Sequence, residues 1–170
     1  MTTTRAAFLG HVSNAAKAIL LALLCAVASP LASEKKPQVV AILEPSGDVG
    51  RMNKATLRGT IEQFVTKSRG YRVVDRARAD QVFGELNLQR TSSMIDPDTA
   101  KEIGRHLGAD FVCASELIKE EGYTNINISL INAETGVVSA SGSRLVSGDD
   151  IKTIADAATE MVSAMLGAKK

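Results

Sequence analysis

The chain has 170 residues, with 20 Lys and Arg against 19 Asp and Glu, no Trp, four Phe and two Tyr. That length corresponds to one domain with a single core. The near-neutral balance argues against a nucleic-acid-binding protein, which needs a strong basic stripe, and the few aromatic residues argue against stacking of bases or sugars.

Residues 1–28 have the features of a secretory signal peptide. Arg5 and Lys17 precede an eleven-residue apolar run that ends in Ala26-Val27-Ala28, the small-x-small pattern of a cleavage site. The run is shorter than the roughly 20 residues of a membrane-spanning helix. We therefore expect cleavage after Ala28, which leaves 18 basic and 19 acidic residues. We expect the product to be exported.

The sequence contains two cysteines, Cys25 and Cys113. Cys25 leaves with the signal peptide and Cys113 remains alone, so no intramolecular disulfide can form. Lipidation of Cys25 is the alternative, but bacterial lipoprotein signals want a small residue directly before the cysteine, and Leu24 stands there. We expect membrane association only if Cys25 is lipidated or the signal is not cleaved.

After a polar lead-in over 29–37, the first half of the chain alternates between strand-like and helical patterns. The continuous apolar run 38–43 is typical of a strand covered on both faces. Asp75 lies where the N-cap of a helix would be. The predicted elements are a strand over 38–43, a loop over 44–50, a helix over 53–68, a strand over 71–74 and a helix over 76–88.

The second half begins with a polar linker over 91–95. Asp96-Pro97 combines an N-cap with a proline at the first helical position, and Gly108 offers a left-handed C-cap. Apolar and polar residues alternate on both sides of Gly136, which predicts a hairpin with one solvent-exposed face. The predicted elements are a helix over 97–107, a strand over 109–118, hairpin strands over 123–131 and 137–146, and a helix over 149–166 capped by Asp149 or Asp150.

The elements follow the order β-α-β-α-α-β-β-β-α. Early strands that are separated by helices favour parallel neighbours, whereas the late meander must be antiparallel. We therefore predict an α/β (α+β) fold, with a mixed sheet of about five strands and helices packed on it. Residues 38–167 should form one globular domain.

The sequence offers little catalytic equipment. The loop 44–50 lacks the spacing of a phosphate-binding loop, which argues against nucleotide binding. His106 is the one histidine after the signal peptide, so a zinc site would lack ligands. A Cys113–His106 pair is disfavoured because Cys113 lies in an apolar strand. We predict no enzyme activity, no cofactor and no metal.

Charged residues gather at the end of the third predicted strand. Glu116, Glu120 and Glu121 surround Lys119. Paired carboxylates can carry acid–base catalysis, but a solvated strand end is the simpler interpretation.

Contact with a partner is the role left for the exposed polar segments. The loop 44–52 and the segment 87–96 have turn or polar composition between packed elements. Arginines near the second strand could hold an acidic partner or an anionic glycan, although a solvated helix start explains them as well. The residues expected at a contact are Arg51, Asn53, Arg72, Arg76, Asn87, Gln89 and Arg90.

Several segments, taken in order, resemble a known domain family. They are the strand 39–43, Val73-Val74-Asp75-Arg76, the helix end 85–89, the stretch 100–112 with Leu107-Gly108-Ala109-Asp110, and the hairpin 128–138 with Thr135-Gly136. Together they resemble the globular domain shared by the curli secretion channel protein and the lipoprotein activators of penicillin-binding proteins. The resemblance covers roughly residues 38–166.

The resemblance implies an exported, non-enzymatic binding or adaptor domain that assembles or regulates another envelope component. It would lie in the periplasm or at the outer membrane of a Gram-negative bacterium. Its partner would be an envelope protein, not a nucleic acid or a nucleotide, and its oligomeric state stays open. A subunit of a curli-type outer-membrane export assembly is the alternative. Membrane strands need about 9–11 residues, and only the hairpin over 123–146 is long enough here. An enzyme acting on envelope glycans or peptides is the second alternative.

Overall fold

A mixed sheet with helices on it makes up residues 36–86 and 95–167, which the computed structural model describes. The strands are β1 (Gln38–Ile42), β2 (Ser46–Gly47), β3 (Tyr71–Val73), β4 (Phe111–Glu120), β5 (Tyr123–Asn132) and β6 (Val138–Ser147). The helices are α1 (Arg51–Lys67), α2 (Arg76–Glu85), α3 (Pro97–Leu107) and α4 (Ile151–Met165). The predicted signal peptide over 1–28 lies outside these described residues.

The sheet is parallel on one side and antiparallel on the other. Its strand order is β3-β1-β4-β5-β6. β1 is parallel to both β3 and β4, whereas β4, β5 and β6 form an antiparallel meander. This confirms the predicted fold class and the predicted order of the elements, to which the structure adds β2.

The sequence-based prediction missed one strand. Ser46 and Gly47, placed in a loop, pair in parallel with Glu116 and Leu117, which brings the sheet to six strands in the described part of the chain. A Cβ on Gly47, whose φ is +105°, would lie 1.9 Å from the carbonyl oxygen of Leu117. The strand is two residues long, so it has no periodicity by which a sequence could reveal it.

The sheet separates two apolar cores. On one face, α1 and α4 cover a core that includes Val40, Leu117 and Ile126. On the other face, α2 and α3 cover a smaller core that includes Ala41 and Val112. β1 is thus buried from both sides, as its continuous apolar run predicted.

The helix ends follow their sequence signals. Asp75, Asp96 and Asp150 each accept hydrogen bonds from backbone N–H groups in the first turn of their helix. Gly108 ends α3 in the left-handed conformation, at φ +63°. Of the two aspartates proposed for the last cap, Asp150 performs it, because Asp149 pairs with Lys119 instead.

Candidate interaction surfaces

Three connections meet at the end of the sheet where β4 and β6 finish, which we call the loop end. Asp48, in the loop before α1, accepts a hydrogen bond from the backbone N–H of Lys119 at 2.8 Å. The Nζ of Lys119 lies 2.7 Å from the Oδ2 of Asp149, in the loop before α4. This hydrogen bond raises the pKa of Lys119 and lowers the pKa of Asp149. The loop end is therefore tied together by side chains from separate elements.

Two of the predicted contact residues lie at this loop end. Asn53 donates from Nδ2 to the backbone oxygen of Asp149 at 3.0 Å, so it positions the loop as well as facing solvent. Arg51 is the first residue of α1 and is exposed, and Met52 next to it is exposed as well. Arg51 is thus free to reach outward, while Asn53 is partly used by the fold.

A buried arginine joins three elements nearby. The side chain of Arg58, in the middle of α1, is only 2% exposed. It donates to Glu44 after β1 and to Glu62 one turn along α1, each at 2.8 Å, and lies 3.5 Å from Asp80 of α2. Burial alone would lower the pKa of Arg58, but the hydrogen bonds to Glu44 and Glu62 raise it. The guanidinium therefore stays charged and links α1, β1 and α2.

The burial of Arg58 was not predicted from the sequence because an arginine in a helix is usually exposed. The available signal was its i,i+4 spacing to Glu62, which is common on solvent-facing helices as well. Only the packing of α1 against the sheet shows that this arginine points inward.

Arg76 and Arg72 differ in their surroundings. Arg76 is 55% exposed and lies 3.6 Å from Glu44 and 3.9 Å from Asp80, at the rim of the Arg58 network. Arg72 is exposed on the edge strand β3. Of the described contact residues, Arg51 and Asn53 lie at the start of α1, Arg72 on β3 and Arg76 at the start of α2. Asn87, Gln89 and Arg90 lie outside the described residues.

The side chains that were considered for catalysis lie in different environments from one another. Burial raises the pKa of the Cys113 thiol to about 12, so it is not a thiolate near neutral pH. His106 is exposed at the end of α3, where its backbone oxygen accepts from Arg78 at 3.4 Å. Lys119 faces Asp149, not the three glutamates among which the sequence placed it. Glu120 and Glu121 are exposed, which fits a solvated strand end, and only the placement of Lys119 toward the glutamates was wrong.

One face of the antiparallel meander carries no described helix near the loop end, and we call it the open face. Its side chains are Glu116, Ile118 and Glu120 from β4, Tyr123, Asn125 and Asn127 from β5, and Ser143, Leu145 and Ser147 from β6. Ser143 donates to Asn125 at 2.9 Å, and Asn127 donates to Glu116 at 3.4 Å. These hydrogen bonds fix polar side chains on the face of the hairpin that was predicted to be exposed to solvent.

The open face also carries apolar side chains that the sequence analysis did not single out. Tyr123 is 48% exposed and Leu145 is 55% exposed, and Ile118 is half-buried. Asn125 pairs with both Ile118 and Leu145 across the strands, and Tyr123 lies two residues before it. The alternation that separated asparagines from isoleucines in β5 contained this signal, because Tyr123 has the parity of Asn125.

A cavity of about 510 Å³ lies at the opposite end of the sheet. Its lining includes Asp110, which accepts from the backbone N–H of Val39 at 2.7 Å, and Lys101, which pairs with Asp98 at 3.1 Å. Asn132 in the same lining accepts the N–H groups of Glu134 and Thr135 in the β5–β6 turn. Its polar side chains thus already hold local structure together.

Within residues 36–86 and 95–167, no group of three or more His, Cys, Asp or Glu residues is arranged to hold a metal ion. No helix within those ranges has the length and apolar character required to cross a membrane.

Comparison with solved structures shows a shared fold. The C-terminal domain of LpoB from Escherichia coli matches with a TM-score of 0.53 and 20% identity, over 67% of this chain and 85% of that chain. The NMR structure of E. coli LpoB matches with a TM-score of 0.55 and 20% identity, over 66% of this chain and 58% of that longer chain. Lipoprotein GNA1162 from Neisseria meningitidis matches with a TM-score of 0.55 and 14% identity, over 77% and 95% of the respective chains.

Comparison with protein families gives the membership. No curated protein matches the chain. A family model described as peptidoglycan-synthase activator LpoB matches residues 49–144, from the start of α1 into β6. None of the matches above concerns a curli channel protein, so that half of the resemblance stays a prediction. The match covers more than half of the sequence, and the chain therefore belongs to the LpoB family of peptidoglycan-synthase activators.

Proposed function

We propose that this chain is an exported binding domain that activates a peptidoglycan synthase of the cell envelope by protein contact. The family match over residues 49–144 carries this proposal. That range contains α1, including Arg51 and Arg58, and the antiparallel meander as far as Arg144. The residues that the sequence predicts at a contact, from Arg51 to Arg90, thus lie inside the matched region.

We also propose that the domain has no catalytic activity of its own. The raised pKa of Cys113 and its burial support this, because a nucleophilic cysteine needs an accessible thiolate. Activation would then depend on binding energy alone, delivered to a partner that carries the chemistry.

Export is part of the same proposal. Residues 1–28 would be removed as a signal peptide, and residues 29–37 would lead into the domain that begins at β1. Mass measurement of the N-terminus of the protein from the periplasm tests this. A product that begins at Ser29 supports cleavage after Ala28, whereas a product that begins at a lipid-modified Cys25 would make it an anchored lipoprotein.

For the contact itself, we propose that Arg51, Asn53, Arg72 and Arg76 reach the partner, together with Asn87, Gln89 and Arg90. The exposure of Arg51 and the rim position of Arg76 support this choice. Asn53 has a structural partner already, so its substitution is a weaker test than that of Arg51.

The decisive experiment measures glycan polymerisation by a purified penicillin-binding protein of the same organism, with and without the exported form of this chain. We expect the synthase to be faster in the presence of the chain. We expect Arg51→Ser to reduce the stimulation and Arg105→Ser, a change of an exposed arginine on α3, to leave it intact. If neither binding nor stimulation occurs with any penicillin-binding protein of the organism, the proposed function is wrong.

A further inference from the structure

We infer that the open face docks a basic protein segment that carries an apolar anchor. The partner's identity as a peptidoglycan synthase rests on the proposed function, but the docking chemistry rests on the side chains of the open face alone.

The apolar part of the open face has the size of a single anchor site. Ile118 and Leu145 lie on either side of Asn125, one strand away in each direction. Directly opposed side chains on neighbouring strands are about 5 Å apart, so this row spans about 10 Å. Tyr123 adds an aromatic ring at the diagonal position. Ile118, Leu145 and Tyr123 thus lie around the polar Asn125, and tyrosine is enriched at protein–protein contacts.

The charge of the open face selects the partner. Glu116 and Glu120 both lie on it, and neither takes part in an ion pair with another described residue. The two bases that neighbour this surface in sequence point to the other face of the sheet, where Lys119 pairs with Asp149 and Arg144 pairs with Glu160. Within residues 36–86 and 95–167, Glu116 and Glu120 therefore have no ion-pair partner, and Lys or Arg side chains of a partner protein would complement their negative charges.

The same charges argue against a second copy of this chain as the occupant. Two open faces packed against each other would place Glu116 and Glu120 of one copy near those of the other. Like charges in an interface are unfavourable, so self-association through this face is the less stable arrangement.

The test uses the ¹⁵N-labelled exported chain and a defined probe, the acetylated and amidated peptide Lys-Leu-Lys-Leu-Lys. We expect amide shifts centred on Glu116, Tyr123 and Leu145, which weaken as salt is added. Glu116→Gln with Glu120→Gln should weaken peptide binding by about fivefold, and Leu145→Ser should weaken it at every salt concentration.

Matched controls lie at the opposite end of the sheet. Glu134→Gln and Val137→Ser alter an exposed acid and an apolar residue that is 62% exposed, both near the β5–β6 turn. We expect both to leave peptide binding unchanged. Shifts that fall elsewhere, an absence of shifts, or equal effects of the controls and the open-face variants would each overturn the inference.

A second arm repeats the variants with the penicillin-binding protein that the wild-type chain stimulates. If the peptide binds at the open face but the chain stimulates no synthase, the proposed function is wrong and the inferred docking chemistry still holds. Stimulation that survives all open-face variants would leave the function in place and overturn the inference.

Discussion

The Nη1 of Arg58 lies 2.8 Å from the Oε2 of Glu44, although one residue is in the middle of α1 and the other follows β1. The arginine is buried, whereas its carboxylate partners Glu44 and Glu62 keep some exposure. The pair therefore holds α1 against the carboxyl end of a central strand. β2 and the start of α1 lie between Glu44 and Arg58 in the chain. The loop end therefore lies next to the Arg58–Glu44 pair.

We expect Arg58→Met to destabilise the domain by about 3 kcal/mol, the lower end of the cost of breaking a buried ion pair, because its partly solvated partners can rehydrate. Arg76→Met, at the exposed rim of the same network, should cost less than about 1 kcal/mol. Urea denaturation of both variants measures the difference. Equal losses would show that Arg58 is not the central residue of the network.

The N-cap of α3 should make stability depend on acid pH. Hydrogen bonds from Thr99 lower the pKa of Asp96 from its ordinary 3.8, so the folded state favours the carboxylate. The stabilisation is present above the ordinary pKa and is lost as the pH falls through the lowered folded value. Asp96→Asn keeps a capping oxygen without the charge. The difference in Tm between wild type and Asp96→Asn should therefore shrink between pH 5 and pH 2; a constant difference would contradict the assignment.

Two glycines with similar backbone angles should respond differently to alanine. Gly136 has φ +74°, and a Cβ there would lie 2.7 Å from the Cβ and 2.8 Å from the backbone oxygen of Pro97. Gly148 has φ +70° with open space around it. Gly148→Ala should cost about 1 kcal/mol, the strain of the left-handed conformation alone. Gly136→Ala should cost about 1–3 kcal/mol more because α3 must shift, and thermal unfolding of the two variants compares them.

The buried Cys113 thiol should not react with thiol reagents while the chain is folded. In a Cys25→Ser background, we expect Cys113 to resist a disulfide reagent at neutral pH in the folded chain and to react at once in denaturant. Because burial raises the pKa of Cys113 to about 12, stability from this group is retained below the unfolded pKa and is lost as the pH rises toward the folded value. Rapid labelling of Cys113 in the native chain at pH 7 would contradict this expectation and indicate a reactive thiol.

Local signals were enough to predict most of the fold. Asp75, Asp96 and Gly108 act within one turn of a helix, so their roles are readable from neighbouring residues. β2 and the burial of Arg58 could not be predicted, because both depend on pairing between segments far apart in the chain.

The candidate surfaces were harder to predict than the fold. Arg51 was expected in the exposed loop 44–52 and Asn53 at the start of the following helix, and both lie at the loop end. Tyr123 and Leu145 were overlooked, since an exposed apolar residue is ordinary in isolation. Only the strand register shows that they lie on one face, in adjacent rows.

The division of the sheet into parallel and antiparallel halves has a consequence for folding kinetics. The meander β4-β5-β6 is built from neighbouring segments, whereas Val39 must meet Asp110 across 71 residues of chain. Local pairing is faster than closure of such a long loop. We expect Ile128→Val in β5 to slow refolding and Val40→Ala in β1 mainly to speed unfolding, which stopped-flow measurements distinguish. The half of the sheet that carries the open face would then be the first to form.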